Sequence, residues 1–136
     1  MEKKIIALDV GLKRIGVAYT PNGSVVVPLK PIFRKNRNQA AKEVSTLLKE
    51  WGAEILVVGV PKTNPEMEMR IRHFVSLISF QGEIIFVDES FTSCIVEENM
   101  KGQIRYRRDG RVDSLAAKEI LEGFLNREKR AENKGN

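Results

Sequence analysis

Chemistry that depends on cysteine or histidine has almost nothing to work with here, because the 136 residues include one Cys and one His. Cys94 alone cannot form an internal disulfide, and a Cys-rich four-ligand zinc site is excluded. Beside Ile95 and Val96 it reads as a small buried hydrophobe rather than a catalytic thiol. His73 alone cannot build a His-rich metal site, and any Ser-His or Cys-His catalysis would hang on that one residue. It reads as a surface or half-buried helix residue. No apolar run approaches the ~20 residues that span a bilayer, so no membrane partner is expected. Met1-Glu2-Lys3-Lys4 leads straight into a strand-like run, with no apolar h-region and cleavage site, and a cytoplasmic location is expected. Carboxylates are left as the main catalytic groups.

What is present is charge and pattern. Lys and Arg outnumber Asp and Glu by 23 − 18 = 5, and a small basic chain without membrane signals points to a polyanionic partner, nucleic acid by default. Lys4 to Asp9 is a continuous apolar run ending in a carboxylate, as expected of a strand buried on both faces. Ile15 to Thr20 forms a second strand. Pro21-Asn22-Gly23 is a turn, and Ser24 to Val27 a third strand, giving an antiparallel meander. Helical spacing then puts Ala40, Val44, Leu47, Leu48 and Trp51 on one face, and Gly52 stops that helix. Glu54 to Gly59 is a fourth strand. Met67, Ile71, Phe74, Val75 and Ile78 mark a second helix ended by Gly82, and Glu83 to Asp88 is a fifth strand. Thr92 or Ser93 caps a third helix to about Met100. Asp113 opens a last helix carrying Leu115, Ala116, Ile120, Leu121 and Phe124. The fold class is therefore α/β. Three antiparallel strands followed by two crossover-linked parallel strands form one mixed sheet flanked by helices. Residues 1–125 make a single domain, and 126–136 a polar, basic, frayed tail.

The acids fall at element ends. Asp9 closes the first strand, Asp88-Glu89 close the fifth, and Asp113 begins the last helix. Ligands of open α/β sheets gather outside the carboxyl ends of strands. A few carboxylates at such an edge suit Mg²⁺ or Mn²⁺, and a two-metal site activates water and stabilises the leaving oxygen in phosphodiester hydrolysis. Gly11 after Asp9 frees the chain to turn tightly and lets a phosphate approach the backbone. If the fourth strand lies between the first and fifth, Asp9 and the fifth-strand acids start about 10 Å apart. Gly59 then leaves the gap between them open. Alternation puts Asp88 and Glu89 on opposite faces, so one is the primary ligand; Glu89 has the longer reach. Each acid also has a structural role open to it. Asp9 can bond the turn at Val10-Gly11, Asp88 can cap the next segment, and Asp113 before Ser114 is a natural N-cap.

Four ordered segments resemble a known family. Asp9-Val10-Gly11-Leu12-Lys13-Arg14-Ile15-Gly16-Val17-Ala18 looks like the opening motif of the YqgF family. Val58-Gly59-Val60-Pro61, Asp88-Glu89-Ser90-Phe91-Thr92-Ser93 and Val112-Asp113-Ser114-Leu115-Ala116-Ala117-Lys118-Glu119-Ile120-Leu121 are similar to its later motifs. The likeness runs from about Lys4 to Leu125. It implies an RNase H-like fold and catalytic acids at Asp9, Asp88-Glu89 and Asp113. It also implies nuclease activity. The family was first described as Holliday-junction resolvases and is now regarded as maturing the 5′ end of pre-16S rRNA. Two departures stand out. Ser90 takes the place of the family's usual Arg, removing a guanidinium from the site. The segment Lys62-Thr63-Asn64-Pro65-Glu66 looks shortened, which changes one wall of the substrate cleft.

Basic residues fit a phosphate-bearing substrate. Lys101, Arg105, Arg107, Arg108 and Arg111 lie in the loop feeding Asp113, with Tyr106 among them to stack on a base. Lys13 and Arg14 sit in the first hairpin beside Asp9. The substrate expected is a structured RNA precursor, with branched DNA as the alternative, and the chain acts as a monomer or homodimer. An actin-like sugar or acetate kinase would need two such domains and fits poorly. A non-catalytic nucleic-acid-binding module of the same fold, and a structural or partner-binding domain, stay open at this point.

Overall fold

The computed structural model describes residues 3–88 and 111–134, the side chains of 111–113 and 130–134 excepted. β1 (Ile5–Val10), β2 (Arg14–Thr20) and β3 (Val27–Phe33) form an antiparallel meander. Helix α1 (Arg37–Glu50) leads to β4 (Ile55–Val60), and α2 (Pro65–Ser76) leads to β5 (Glu83–Asp88). The order across the sheet is β3-β2-β1-β4-β5. β4 pairs parallel to both β1 and β5, so it lies between them as the strand pattern requires. The last described element is α3 (Arg111–Lys134). Among the described residues no helix is long and apolar enough to cross a membrane.

β1 and β4 have no exposed face. Ile6, Leu8, Leu56 and Val58 pack under α1 and α2 with Val44, Leu48, Ile71 and Phe74. Ile5, Ala7, Ile55 and Val57 point the other way and pack under α3. Alternation along each strand divides one apolar run between two cores. On α3, Ala117, Ile120, Leu121, Phe124 and Leu125 recur at the three- and four-residue spacing of a buried stripe.

The helix starts follow local chemistry. Asn36 caps α1, accepting from the Gln39 amide at 2.8 Å while the Gln39 side chain accepts from the Asn36 amide. Asn64 caps α2 by accepting from the Met67 amide, and Pro65 occupies the first turn. The short segment after Pro61 is thus a tight turn, closed by the Asn64 amide on the Pro61 carbonyl at 3.0 Å.

Several boundaries differ from the sequence expectation. The third strand begins at Val27, not Ser24, because the Asn22 carboxamide accepts from the amides of Ser24 and Val25 and prolongs the turn. It runs on to Phe33 through Pro28 and Pro31, which an edge strand tolerates. α2 ends at Ser76 with Leu77 as its C-cap. Gly82 instead sits where β5 enters the sheet, and a Cβ there would lie 2.4 Å from the Glu54 carbonyl oxygen. α3 already includes Arg111 and Val112, so Asp113 lies within the helix rather than at its N-cap. The helix continues past Asn126, where the sequence predicts a frayed tail, to Lys134. The helix expected from Thr92 or Ser93 to Met100, with Cys94, lies outside the described residues.

Phe74 joins α2 to the sheet and is fully buried. Phe74→Ala should lower the unfolding free energy by about 3–5 kcal/mol in denaturant titrations. Val25→Ser, on an exposed loop, should change it by less than about 0.5 kcal/mol.

Candidate active site

Asp9 is the first polar residue on β1 after four buried apolar ones, and it is half-buried. It continues the parity of Ile5 and Ala7, which places it on the α3 face. Its antiparallel partner is Gly16 on β2. One step beyond the pairing of Leu8 on β1 with Val58 on β4, it is level with Gly59. A carboxylate therefore stands between two strands that carry no side chain at its level. The gap toward β5 is two strand spacings, about 10 Å.

The hairpin after Asp9 is tight. The Gly11 amide donates to the Arg14 carbonyl at 2.9 Å, and a Cβ on Gly11 would lie 2.6 Å from that oxygen. Lys13 and Arg14 are exposed at this turn, and the Arg14 guanidinium lies over the Phe33 ring. Arg34 closes the hairpin from the end of β3. Its amide donates to the Lys13 carbonyl at 2.8 Å, and its guanidinium donates to the Gly11 carbonyl at 3.1 Å. Burial, and then the charge of Arg37, lowers the pKa of this guanidinium from its usual value.

On the far side of β2 the ladder slips. The β2–β3 register shifts between Ile15 and Val17, around Gly16. Ser114, fully buried on α3, fills that irregularity. Its hydroxyl donates to the Leu29 carbonyl and accepts from the Val17 amide. Val17 and Leu29 are themselves a cross-strand pair, so one side-chain hydroxyl bridges two strands. That bond fixes the first turn of α3, the turn containing Asp113, over the strand next to β1.

Asp88 ends β5. It follows the parity of Ile84 and Phe86, which pack on the α1–α2 side, whereas Ile85 and Val87 pack on the α3 side. Parity thus separates Asp88 from Asp9, although Asp88 at the strand end also borders a shallow notch with Glu119, Gly123 and Arg127 of α3. Neither Asp9 nor Asp88 is without a partner. Glu89, Ser90, Arg105, Tyr106, Arg107 and Arg108 lie outside the described residues, as do the side chains of Arg111 and Asp113. Among the described residues no group of three or more His, Cys, Asp or Glu gathers into a metal-holding set. His73 is exposed in the last turn of α2.

Three contributors escape a reading of the sequence. Ser114 falls three residues before Ala117 on the apolar stripe, and a polar residue in a buried stripe is the available signal. Gly16 is level with Asp9 only once the hairpin register is known. Nothing in the sequence around Arg34 marks it as the clamp on Gly11.

Residues 3–127 match the family described as "RuvX: Holliday junction resolvase". A Sulfurimonas denitrificans protein named "Putative pre-16S rRNA nuclease" is 48% identical over 125 residues, covering 90% of this chain and 96% of the relative. A Helicobacter hepaticus protein of the same name is 49% identical over 138 aligned residues, covering 95% and 99%. Among solved structures, the fowlpox virus Holliday junction resolvase superposes with a TM-score of 0.53 at 13% identity, covering 90% of this chain and 98% of that one. T. thermophilus RuvC in complex with a Holliday junction substrate gives 0.51 at 10% identity, covering 93% and 96%. These two likenesses establish the RNase H-like fold.

Ser114→Ala removes the hydroxyl's bonds to the Leu29 carbonyl and the Val17 amide. We expect a loss of about 1–3 kcal/mol in unfolding free energy, with faster hydrogen exchange at the Val17 amide. Unchanged protection there would show that the hydroxyl is not what holds α3 to the bulge.

Proposed function

Since the chain belongs to the RuvX Holliday junction resolvase family, also called YqgF, we propose that it is a divalent-metal-dependent endonuclease that processes the 5′ end of pre-16S rRNA. The observation that carries this reading is the placement of Asp9. It stands at the end of a doubly buried strand, between Gly16 and Gly59. We assign Asp9, Glu89 and Asp113 as the metal ligands and hold Asp88 as a secondary acid, since its parity sets it away from Asp9. Hard carboxylate oxygens suit Mg²⁺ or Mn²⁺, and the two flanking glycines leave room above the sheet for ions and a phosphate.

When bound, two such ions would polarise the attacking water and stabilise the leaving oxygen. The water oxygen adds to phosphorus, the P–O ester bond breaks, and the departing oxygen takes up a proton. The chain's own part is to hold and aim. Asp9 is fixed by its strand, Lys13 and Arg14 place positive charge where the phosphate chain passes the hairpin, and the Ser114 anchor sets the position of Asp113. Arg105, Arg107, Arg108 and Arg111 supply further phosphate contacts in this reading. The work is cytoplasmic, as for a precursor of ribosomal RNA.

The family name favours a second reading, cleavage of branched DNA. Resolving a four-way junction takes two sites, and hence a homodimer. An RNA-processing nuclease can act as a monomer.

Structured rRNA precursor and four-way DNA should be incubated side by side with the protein and Mg²⁺ or Mn²⁺. Asp9→Asn and Asp113→Asn should each cut the rate by about 100-fold or more, given the several kcal/mol that metal polarisation supplies. Calorimetric titration of Mn²⁺ should show weakened binding in both. Wild-type rates in both variants would overturn the assignment. Mn²⁺ binding lost without any cleavage in the wild type would favour the non-catalytic module.

A further inference from the structure

The carboxylate face is not the only concave surface at this edge of the sheet. Val10, the residue after Asp9, points to the opposite side and begins a cleft of about 510 Å³ between the first hairpin and α2. That volume lies in the range of sites that hold small organic ligands, ~300–1,000 Å³, and admits a short single-stranded stretch.

The rim is cationic. Arg34, Arg37 and Arg70 contribute guanidinium groups and His73 an imidazole, and among the described residues no Asp or Glu lines the cleft. Among the described residues neither Arg34 nor Arg37 is in an ion pair, and they face each other closely enough for Arg37 to perturb Arg34. Arg70 pairs with Glu66, but that pair is solvent-exposed, with Arg70 at 59% and Glu66 at 78%. Exposed pairs of this kind hold weakly and exchange partners easily. Glu68 is taken up by Arg72 and Lys62 instead. Crowded like charges without carboxylates disfavour the bare protein and favour a bound polyanion.

Between the cations the surface is apolar and exposed. Leu12 is 62% and Met69 71% exposed, and both line this same cleft, which leaves apolar surface for a ligand to cover. Met is unbranched and polarizable, which suits contact with the faces of varied bases.

We propose that this cleft binds a single-stranded polynucleotide flank of the substrate, phosphates on Arg34, Arg37 and Arg70 and bases against Leu12 and Met69. The flank passes over the β1–β2 hairpin from the carboxylate face to the α2 face. Leu12 is three residues from Asp9, so the two are at most about 11 Å apart along the backbone. This rests on the nuclease reading, since it treats the cleft as an extension of that site.

Binding of fluorescein-labelled oligouridine and oligodeoxyuridine, followed by anisotropy without divalent cation between about 50 and 200 mM salt, tests it. Arg37 and Arg70 are exposed helix residues that can be changed without touching the hairpin clamp. Arg37→Ala/Arg70→Ala should weaken binding and make the log-log salt slope shallower by about 1.4, at ~0.7 for each single-strand phosphate that is no longer neutralised. Arg37→Lys/Arg70→Lys keeps the charge and should keep the slope. Preference for either oligonucleotide identifies the sugar favoured, and both outcomes support a polynucleotide site. An unchanged salt slope in the folded double-alanine variant overturns the proposal, and so does displacement by polyglutamate that is equal in both proteins. Because no cleavage is involved, that failure is separate from one in which Asp9→Asn retains activity.

Discussion

β1 has water on neither side, and most of the molecule is arranged around that fact. Ile5, Ile6, Ala7 and Leu8 are fully buried, alternately under α3 and under α1 and α2. A strand in this position can change from apolar to charged only where the cover ends, and Asp9 marks that point. Covering the α3 face brings a helix close to strands carrying small residues. Ala7 and Ala18, a cross-strand pair, leave room for Ala117 on the helix. The cover is keyed rather than simply laid on, because Ser114 enters the irregular ladder between Val17 and Leu29. A polar residue in a buried stripe is costly when unpaired. Here it is satisfied by two backbone groups that the slipped register makes available, and among the described residues no buried side-chain polar atom lacks a partner.

The same edge of the sheet then presents two chemically different faces, separated by one residue of alternation. Asp9 belongs to the α3 side and Val10 to the α2 side, where arginines gather with no carboxylate among the described lining residues. The hairpin between them is held from both ends. Gly11 closes on Arg14, and Arg34 clamps the Gly11 carbonyl while its guanidinium stacks over Phe74. Arg34 is thus tied at once to the turn beside Asp9 and to the core of the α2 face. The geometry of the acid and the shape of the basic cleft share that one side chain.

Much of this is legible in the residues themselves. An apolar run ending in a carboxylate locates β1 and Asp9, and β-branched runs locate β4 and β5. The glycine at position 59 has meaning only if β4 lies between β1 and β5, and it does. What stays hidden depends on pairing. Pro28 and Pro31 break the strand signal of β3, although an edge position removes the penalty. Gly16 and Ser114 matter through a register slip between strands, which no local window can report. Asp113 looks like a cap because Asp before Ser is a common helix start, whereas the residues just before it, Arg111 and Val112, are already helical. The choice between Asp88 and Glu89 needs the core partners of Ile84 to Val87, because composition is silent about which parity faces α3.

The proposed ligands come from three separated stretches of chain: Asp9 on β1, Glu89 after β5, and Asp113 in the first turn of α3. If these carboxylates meet at one edge as proposed, they repel one another until a cation neutralises them, and the protein without metal would have to hold them against that repulsion. β1 meets this demand by being buried on both faces. On α3 the buried stripe among the described residues runs from Ala117 to Leu125, and Asp113 lies before it. The Ser114 hydroxyl acts at that weak point, one residue from Asp113, and ties the turn to two strands at once. A methyl group of similar size would fill the same space, but it would leave the turn held by packing alone. The hydroxyl is directional, and a site that must receive ions in a defined arrangement depends on direction more than on burial.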